Sequence, residues 1–66
     1  MKLWYAVVND DYTDWDDGSF DLREAKRMVL EQERPDAYIA IIDVTDGDPL
    51  CVGEILQDGE YWKVRE

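Results

Sequence analysis

Apolar residues fall into four short runs separated by charged or turn-forming stretches. In the first, residues 3–8 (LWYAVV), both alternating sets are apolar: Leu3, Tyr5 and Val7 in one, Trp4, Ala6 and Val8 in the other. Successive side chains of a strand point to opposite faces, so a strand apolar in both sets is one covered on both sides. Residues 37–44 (AYIAIIDV) repeat the pattern. Residues 50–57 give a third strand, opened by Pro49 after the turn TDGDP. Residues 60–65 (EYWKVR) give a fourth, in which Trp62 and Val64 alternate with Tyr61, Lys63 and Arg65, the pattern of a half-exposed edge strand. Asp58–Gly59 between the last two strands reads as a two-residue hairpin loop.

The period changes after the first strand. Leu22, Ala25, Met28, Val29 and Gln32 recur at helical spacing and define one apolar stripe. Asp21 stands three residues before Glu24, the signature of a capping box, with Phe20 placed to staple onto Ala25. Pro35 ends the helix near Arg34, because proline lacks a donor and pushes its predecessor out of helical geometry. The elements predict an α+β fold of order β-α-β-β-β: a single four-stranded mixed sheet with one helix packed on one face. A helix returning the chain between the first two strands makes them parallel, through a right-handed crossover. The expected strand order follows the chain, with the first strand on an edge; the rival order places it beside the fourth.

One helix covers one face. The other face would carry one set from the first strand beside either Tyr38, Ala40 and Ile42 or Ala37, Ile39 and Ile41. Such a patch exceeds what soluble monomers usually expose, so a homodimer through the uncovered sheet face is expected. The whole chain, residues 1–66, makes one small domain that buries only ~60% of its surface, and pairing would relieve that shortage.

Charge adds a functional constraint. Seventeen acidic residues against seven basic ones give a net charge of −10. That field repels nucleic acid and anionic lipid, so no direct nucleic-acid or membrane binding is expected, and it favours a basic surface on a partner protein. A single cysteine, Cys51, excludes an internal disulfide and fits a reducing compartment. It shares a strand side with Ile55 and reads as core. No apolar run approaches the ~20 residues of a membrane span, and a cytoplasmic location is expected.

The acidic residues are concentrated in Asn9 to Asp21, NDDYTDWDDGSFD. Parallel first and second strands would deliver this loop and the 45–48 turn to the same end of the sheet. Asp10, Asp11, Asp14, Asp16, Asp17, Asp46 and Asp48 would then share one pole, while the basic residues of 21–34 neutralise the helix. Tyr12, Trp15 and Phe20 are candidate aromatic anchors for a partner. The alternative is that Trp15 and Phe20 fold back to close the loop over the helix and the end of the first strand, which is the reading favoured for Phe20 and left open for Trp15.

A calcium reading competes for the same loop. Asp17, Gly18, Asp21 and Glu24 fit the fifth, sixth, ninth and twelfth positions of an EF-hand loop. Thr13 and Trp15 fall on the first and third, where carboxylates are required, and a strand precedes the loop instead of a helix. Divalent-cation binding, or a purely structural role, is therefore the alternative, and no metal or cofactor is assigned. With no histidine, one serine and no nucleophile beside a base, the chain is not expected to be an enzyme. In size and charge alone it resembles the small acidic inhibitors that mimic nucleic acid, anti-CRISPR proteins among them. The resemblance implies occupation of a basic, nucleic-acid-binding groove, whose Arg and Lys side chains engage carboxylates as they do phosphate.

Overall fold

A computed structural model describes residues 1–65. They form β1 (Leu3–Val8), β2 (Gly18–Ser19), α1 (Leu22–Glu31), β3 (Tyr38–Asp43), β4 (Leu50–Asp58) and β5 (Tyr61–Arg65). The helix and the four longer strands lie where the periodicities place them, and the class is α+β. The sheet differs from expectation. It has five strands in the order β2-β1-β3-β4-β5, every neighbouring pair antiparallel, so it is neither four-stranded nor mixed.

The cause is one additional reversal. After β1 the loop doubles back and pairs Gly18 with Ala6 and Ser19 with Tyr5. The chain has thus already returned before the helix begins. The helix carries it forward again, and β3 descends beside β1, with Val8 opposite Tyr38 and Leu3 opposite Asp43. β1 is consequently an inner strand, although the order of the four longer strands follows the chain as expected. The return passes very close to β1. A Cβ on Gly18 would lie 2.2 Å from the Tyr5 carbonyl oxygen and 2.9 Å from the Ala6 Cα, so only glycine fits without moving backbone.

The helix settles which apolar set it covers. Ala25 and Val29 are buried against Val7, Ala37, Ile39 and Ile55, with Tyr5, Leu22, Met28, Ile41 and Trp62 around them. Asp21 is the N-cap, its Oδ1 accepting from the Arg23 N–H at 3.0 Å. The second half of the capping box does not form: Glu24 pairs with Arg27, and the Asp21 N–H donates to Ser19 Oγ. At the other end Gln32 is the C-cap, and Glu33 adopts φ 53°, the left-handed turn that stops a helix.

The opposite face carries Trp4, Ala6, Val8, Tyr38, Ala40, Ile42 and Val44. Its centre is not bare. Ala6, Val8, Ala40 and Ile42 are 0–4% exposed in a single chain, with Trp4, Tyr38 and Val44 packed against them. Phe20, expected over the helix, stands here instead, edge-on to Trp4 at 4.8 Å with the Lys2 ammonium 5.0 Å from its ring. Small residues in the inner strands and large rings around them close this face from within the chain. Among the described residues the centre of this face is filled, and the bare surface that motivated a homodimer is not found there.

Two local details complete the sheet. Ile41 pairs with Gly53 but Ile42 with Cys51, so Val52 is an extra residue, a β-bulge. The bulge inverts the alternation, and Cys51 is turned to the face opposite Ile55, where it is exposed. The β4–β5 loop is Gly59–Glu60, one residue later than expected; Gly59 at φ 62° occupies the first central position, as a type II′ hairpin turn requires.

Replacing Gly18 by Ala should destabilise the protein by about 2–3 kcal/mol, the scale of an overpacked site that forces backbone movement. Urea denaturation of the variant measures it. Sedimentation at micromolar concentration is expected to give a monomer at both low and high salt; a dimer would require a contact other than the filled face.

Candidate functional site

The loop between β1 and β2 has two halves with different fates. The first is a tight turn organised by Asn9. Its side-chain Oδ1 accepts from the N–H groups of Asp11 (2.8 Å) and Tyr12 (2.9 Å), and its backbone exchanges two hydrogen bonds with Tyr12. Asn9 Nδ2 donates to Gln32 Oε1 at 2.9 Å, tying the turn to the end of α1. Asparagine is suited to this because its short amide mimics a backbone turn while leaving a donor for a neighbour.

Arg34 fixes the same half electrostatically. Its guanidinium grips Asp36 in a two-point fork, Nε to Oδ1 at 2.8 Å and Nη2 to Oδ2 at 2.6 Å, and extends Nη1 to Asp11 Oδ2 at 2.9 Å. Asp36 Oδ2 also accepts the Asp10 N–H at 3.1 Å. Gln57 on β4 secures the base by donating to the carbonyls of Arg34 and Ala37, both at 2.8 Å. The fork from Arg34, joined by the Asp10 N–H, draws the Asp36 carboxyl down to about 2 against the opposing cost of desolvation. The Arg34 guanidinium is correspondingly held in its charged form.

The second half, residues 13–17, runs back along the β1 edge. The Asp17 carbonyl accepts the Val7 N–H at 2.8 Å, and the Trp15 carbonyl accepts Trp4 Nε1 at 2.8 Å. These backbone anchors leave the side chains outside. Asp14, Asp16 and Asp17 are exposed and enter no ion pair among the described residues. Tyr12 and Trp15 stand among them, 37% and 38% exposed. The Tyr12 hydroxyl is pushed above its ordinary range, first by partial desolvation and then by the charges of Asp17, Asp16 and Asp14.

The expected seven-carboxylate pole is not assembled. Because β3 is antiparallel to β1, the 45–48 turn lies at the opposite end of the sheet from Asp10 and Asp11. Asp46 and Asp48 sit beside the start of the chain, where the Lys2 N–H donates to Thr45 Oγ1 and its carbonyl accepts the Val44 N–H. Asp10, Asp11, Tyr12, Asp14, Trp15, Asp16 and Asp17 remain one continuous strip, within which Asp11 is already engaged by Arg34.

The residues that matched a calcium loop are dispersed to other tasks: Asp21 caps the helix, Glu24 meets Arg27, and Gly18 pairs with Ala6. No cluster of three or more acidic or other ligating side chains with metal-binding geometry occurs among the described residues. These residues enclose no pocket, and no helix among them is long and apolar enough to cross a membrane. Compared with known proteins, the chain matches no family model, no curated protein and no solved structure.

The ties that position the loop, Asn9 to Gln32, Arg34 to Asp11, Asp10 to Asp36 and Gln57 to Ala37, escape a motif search because each spans 20 or more residues. Local signals exist for Asn9, as an asparagine opening an acidic turn, and for Arg34 and Asp36, opposite charges two residues apart.

Asp36 gives a pH prediction. Its folded value lies below the ordinary 3.8, so its stabilisation is complete above about pH 4 and is lost as pH falls through about 2. Asp36→Asn should melt below the parent at pH 7, and the difference should close between about pH 4 and pH 2. Thermal melts at stepped pH check this; a gap independent of pH would mean the fork contributes through shape alone.

Proposed function

We propose that this protein is a small acidic binding module that occupies a basic surface on a partner protein, in the manner of an inhibitor that mimics nucleic acid. The observation that carries the proposal is the strip Tyr12–Asp17. Its carboxylates are anchored through backbone bonds, unpaired among the described residues, and accompanied by two half-exposed rings. Rows of fixed carboxylates satisfy the forked donors of Arg and the ammonium of Lys much as phosphates do. Tyr12 and Trp15 add rigid apolar area of the kind that dominates interface energetics.

The roles within the strip are unequal. Asp14, Asp16 and Asp17 are the partner-facing charges. Asp10 and Asp11 serve the turn, the former through its N–H and the latter through Arg34. Asp46 and Asp48 lie in the 45–48 turn, at the opposite end of the sheet from Asp10 and Asp11. In this reading they add to the long-range field, and Asp14, Asp16 and Asp17 make the contact. No side chain is assigned to catalysis, and the reading places the module with its partner in the cytoplasm.

Affinity capture tests this with three proteins: the parent, an Asp14→Asn, Asp16→Asn, Asp17→Asn variant, and an Asp46→Asn, Asp48→Asn variant. The parent should retain a basic nucleic-acid-binding protein that is displaced by added polynucleotide. Release should follow near 1 M salt, where fields are screened beyond roughly 3 Å. The triple variant should bind about tenfold or more weakly, and the double variant nearly as the parent. Capture that ignores both salt and the triple substitution would sink the proposal. A melting temperature raised by several degrees with micromolar calcium would instead make the loop a cation site.

A further inference from the structure

The two edges of the sheet are finished differently. The β1 edge is closed by β2 and by the Val7 to Asp17 hydrogen bond, whereas β5 has a neighbour on one side only. Asp58 and Tyr61 flank a two-residue turn, so they form a hydrogen-bonded pair, as do Leu56 with Lys63 and Glu54 with Arg65 by alternation. The N–H and C=O groups of Trp62 and Val64 therefore face outward. Among the described residues nothing pairs with them, and they form an unfilled row of donors and acceptors.

The side chains along this edge specify what would fill it. On the helix side stand Trp62 and Val64. Val64 is 60% exposed, and Leu50 and Val52 are exposed on the neighbouring β4. On the opposite side stand Tyr61, Lys63 and Arg65, two cations in five residues of a chain whose net charge is −10. Arg65 meets Glu54, and Lys63 enters no ion pair among the described residues. Four inter-strand steps of about 4.8 Å place β5 roughly 19 Å from β2. That exceeds two Debye lengths of about 8 Å in physiological salt, so the strip's negative field is largely screened there.

We propose that β5 is a strand-addition site for an extended partner segment in which carboxylates alternate with apolar side chains. Period-2 alternation would place the carboxylates beside Lys63 and Arg65 and the apolar residues beside Trp62 and Val64, while the backbones complete the ladder. A second copy fits this edge less well, because it would bring its own Lys63 and Arg65 to the contact. The site is distinct from the acidic strip and does not depend on it.

The probe is a blocked hexapeptide of alternating Glu and Val, with a Lys-Val hexapeptide as control. Both are titrated into the isotope-labelled full chain and followed by amide shifts and hydrogen exchange. The Glu-Val peptide should shift and protect the Trp62 and Val64 amides. Val64→Pro removes an outward donor without touching the β4 ladder, and should abolish that protection. Lys63→Glu leaves the backbone intact and should weaken the Glu-Val peptide by about fivefold while favouring the Lys-Val peptide. Should Val64→Pro fail to fold, the Lys63→Glu reversal decides alone. Equal binding of both peptides, shifts confined to residues 10–17, or no shifts at millimolar peptide would each overturn the proposal. Concentration-dependent self-association that protects β5 would overturn it too, by assigning the edge to a second copy.

Discussion

The fold depends on how closely the returning loop can approach β1. With no side chain at Gly18, the backbone lies against Tyr5 and Ala6 and makes the pairs that define β2. Two residues of strand are little in energetic terms, yet they fix the direction of everything after them. Because the chain has turned once before α1, the helix must carry it toward the end of β1, and β3 must run antiparallel to it. The same return places the Trp15 carbonyl under Trp4 Nε1 and Phe20 against the Trp4 ring. One tight contact thus sets the topology, helps roof the second face and aligns the acidic side chains along an edge.

That dependence explains what could be read from the sequence and what could not. Strands with two apolar sets, the helical stripe and the Asp21 cap are written in local periodicity, and they stand where the pattern places them. β2 has no period to detect, since a two-residue strand carries none. Without it, the rule for a strand-helix-strand unit predicted a parallel pair, and the error propagated to the supposed seven-carboxylate pole. The misplacement of Cys51 has the same character: one bulged residue, Val52, inverts the alternation beyond it. Of the site, the strip 10–17 was legible as composition. Its division into clamped and outward-facing carboxylates was not, because Arg34 reaches Asp11 across 23 residues of chain.

The division also explains how so acidic a segment is held near a compact fold. Crowded carboxylates repel one another, and the resulting self-repulsion tends to open a loop. Here the turn at its start is fixed by the neutral amide of Asn9, which accepts two backbone N–H groups and donates to Gln32, and by one guanidinium that serves two carboxylates. The remainder is fixed through main-chain carbonyls, at Trp15 and Asp17, which costs none of the carboxylate oxygens. Attaching the segment by its backbone leaves its charges available. A loop attached through those charges would have none left to offer.

The same separation of backbone and charge appears across the sheet. At the β2 edge the strand is only two residues long and the side chains of the loop before it are the reactive feature, acidic and outward. At the β5 edge the backbone is the unsatisfied feature and the side chains are cationic or apolar. A uniformly acidic surface would have made both edges repel the same partners, whereas this arrangement gives each a different electrostatic preference within one small domain. Lys63 sharpens the contrast, since a lysine on an open edge disfavours pairing with a like-charged strand and permits an oppositely charged one. Selectivity at that edge therefore comes from repulsion as much as attraction, with the free donors of Trp62 and Val64 supplying the ladder and Lys63 deciding which strand is admitted.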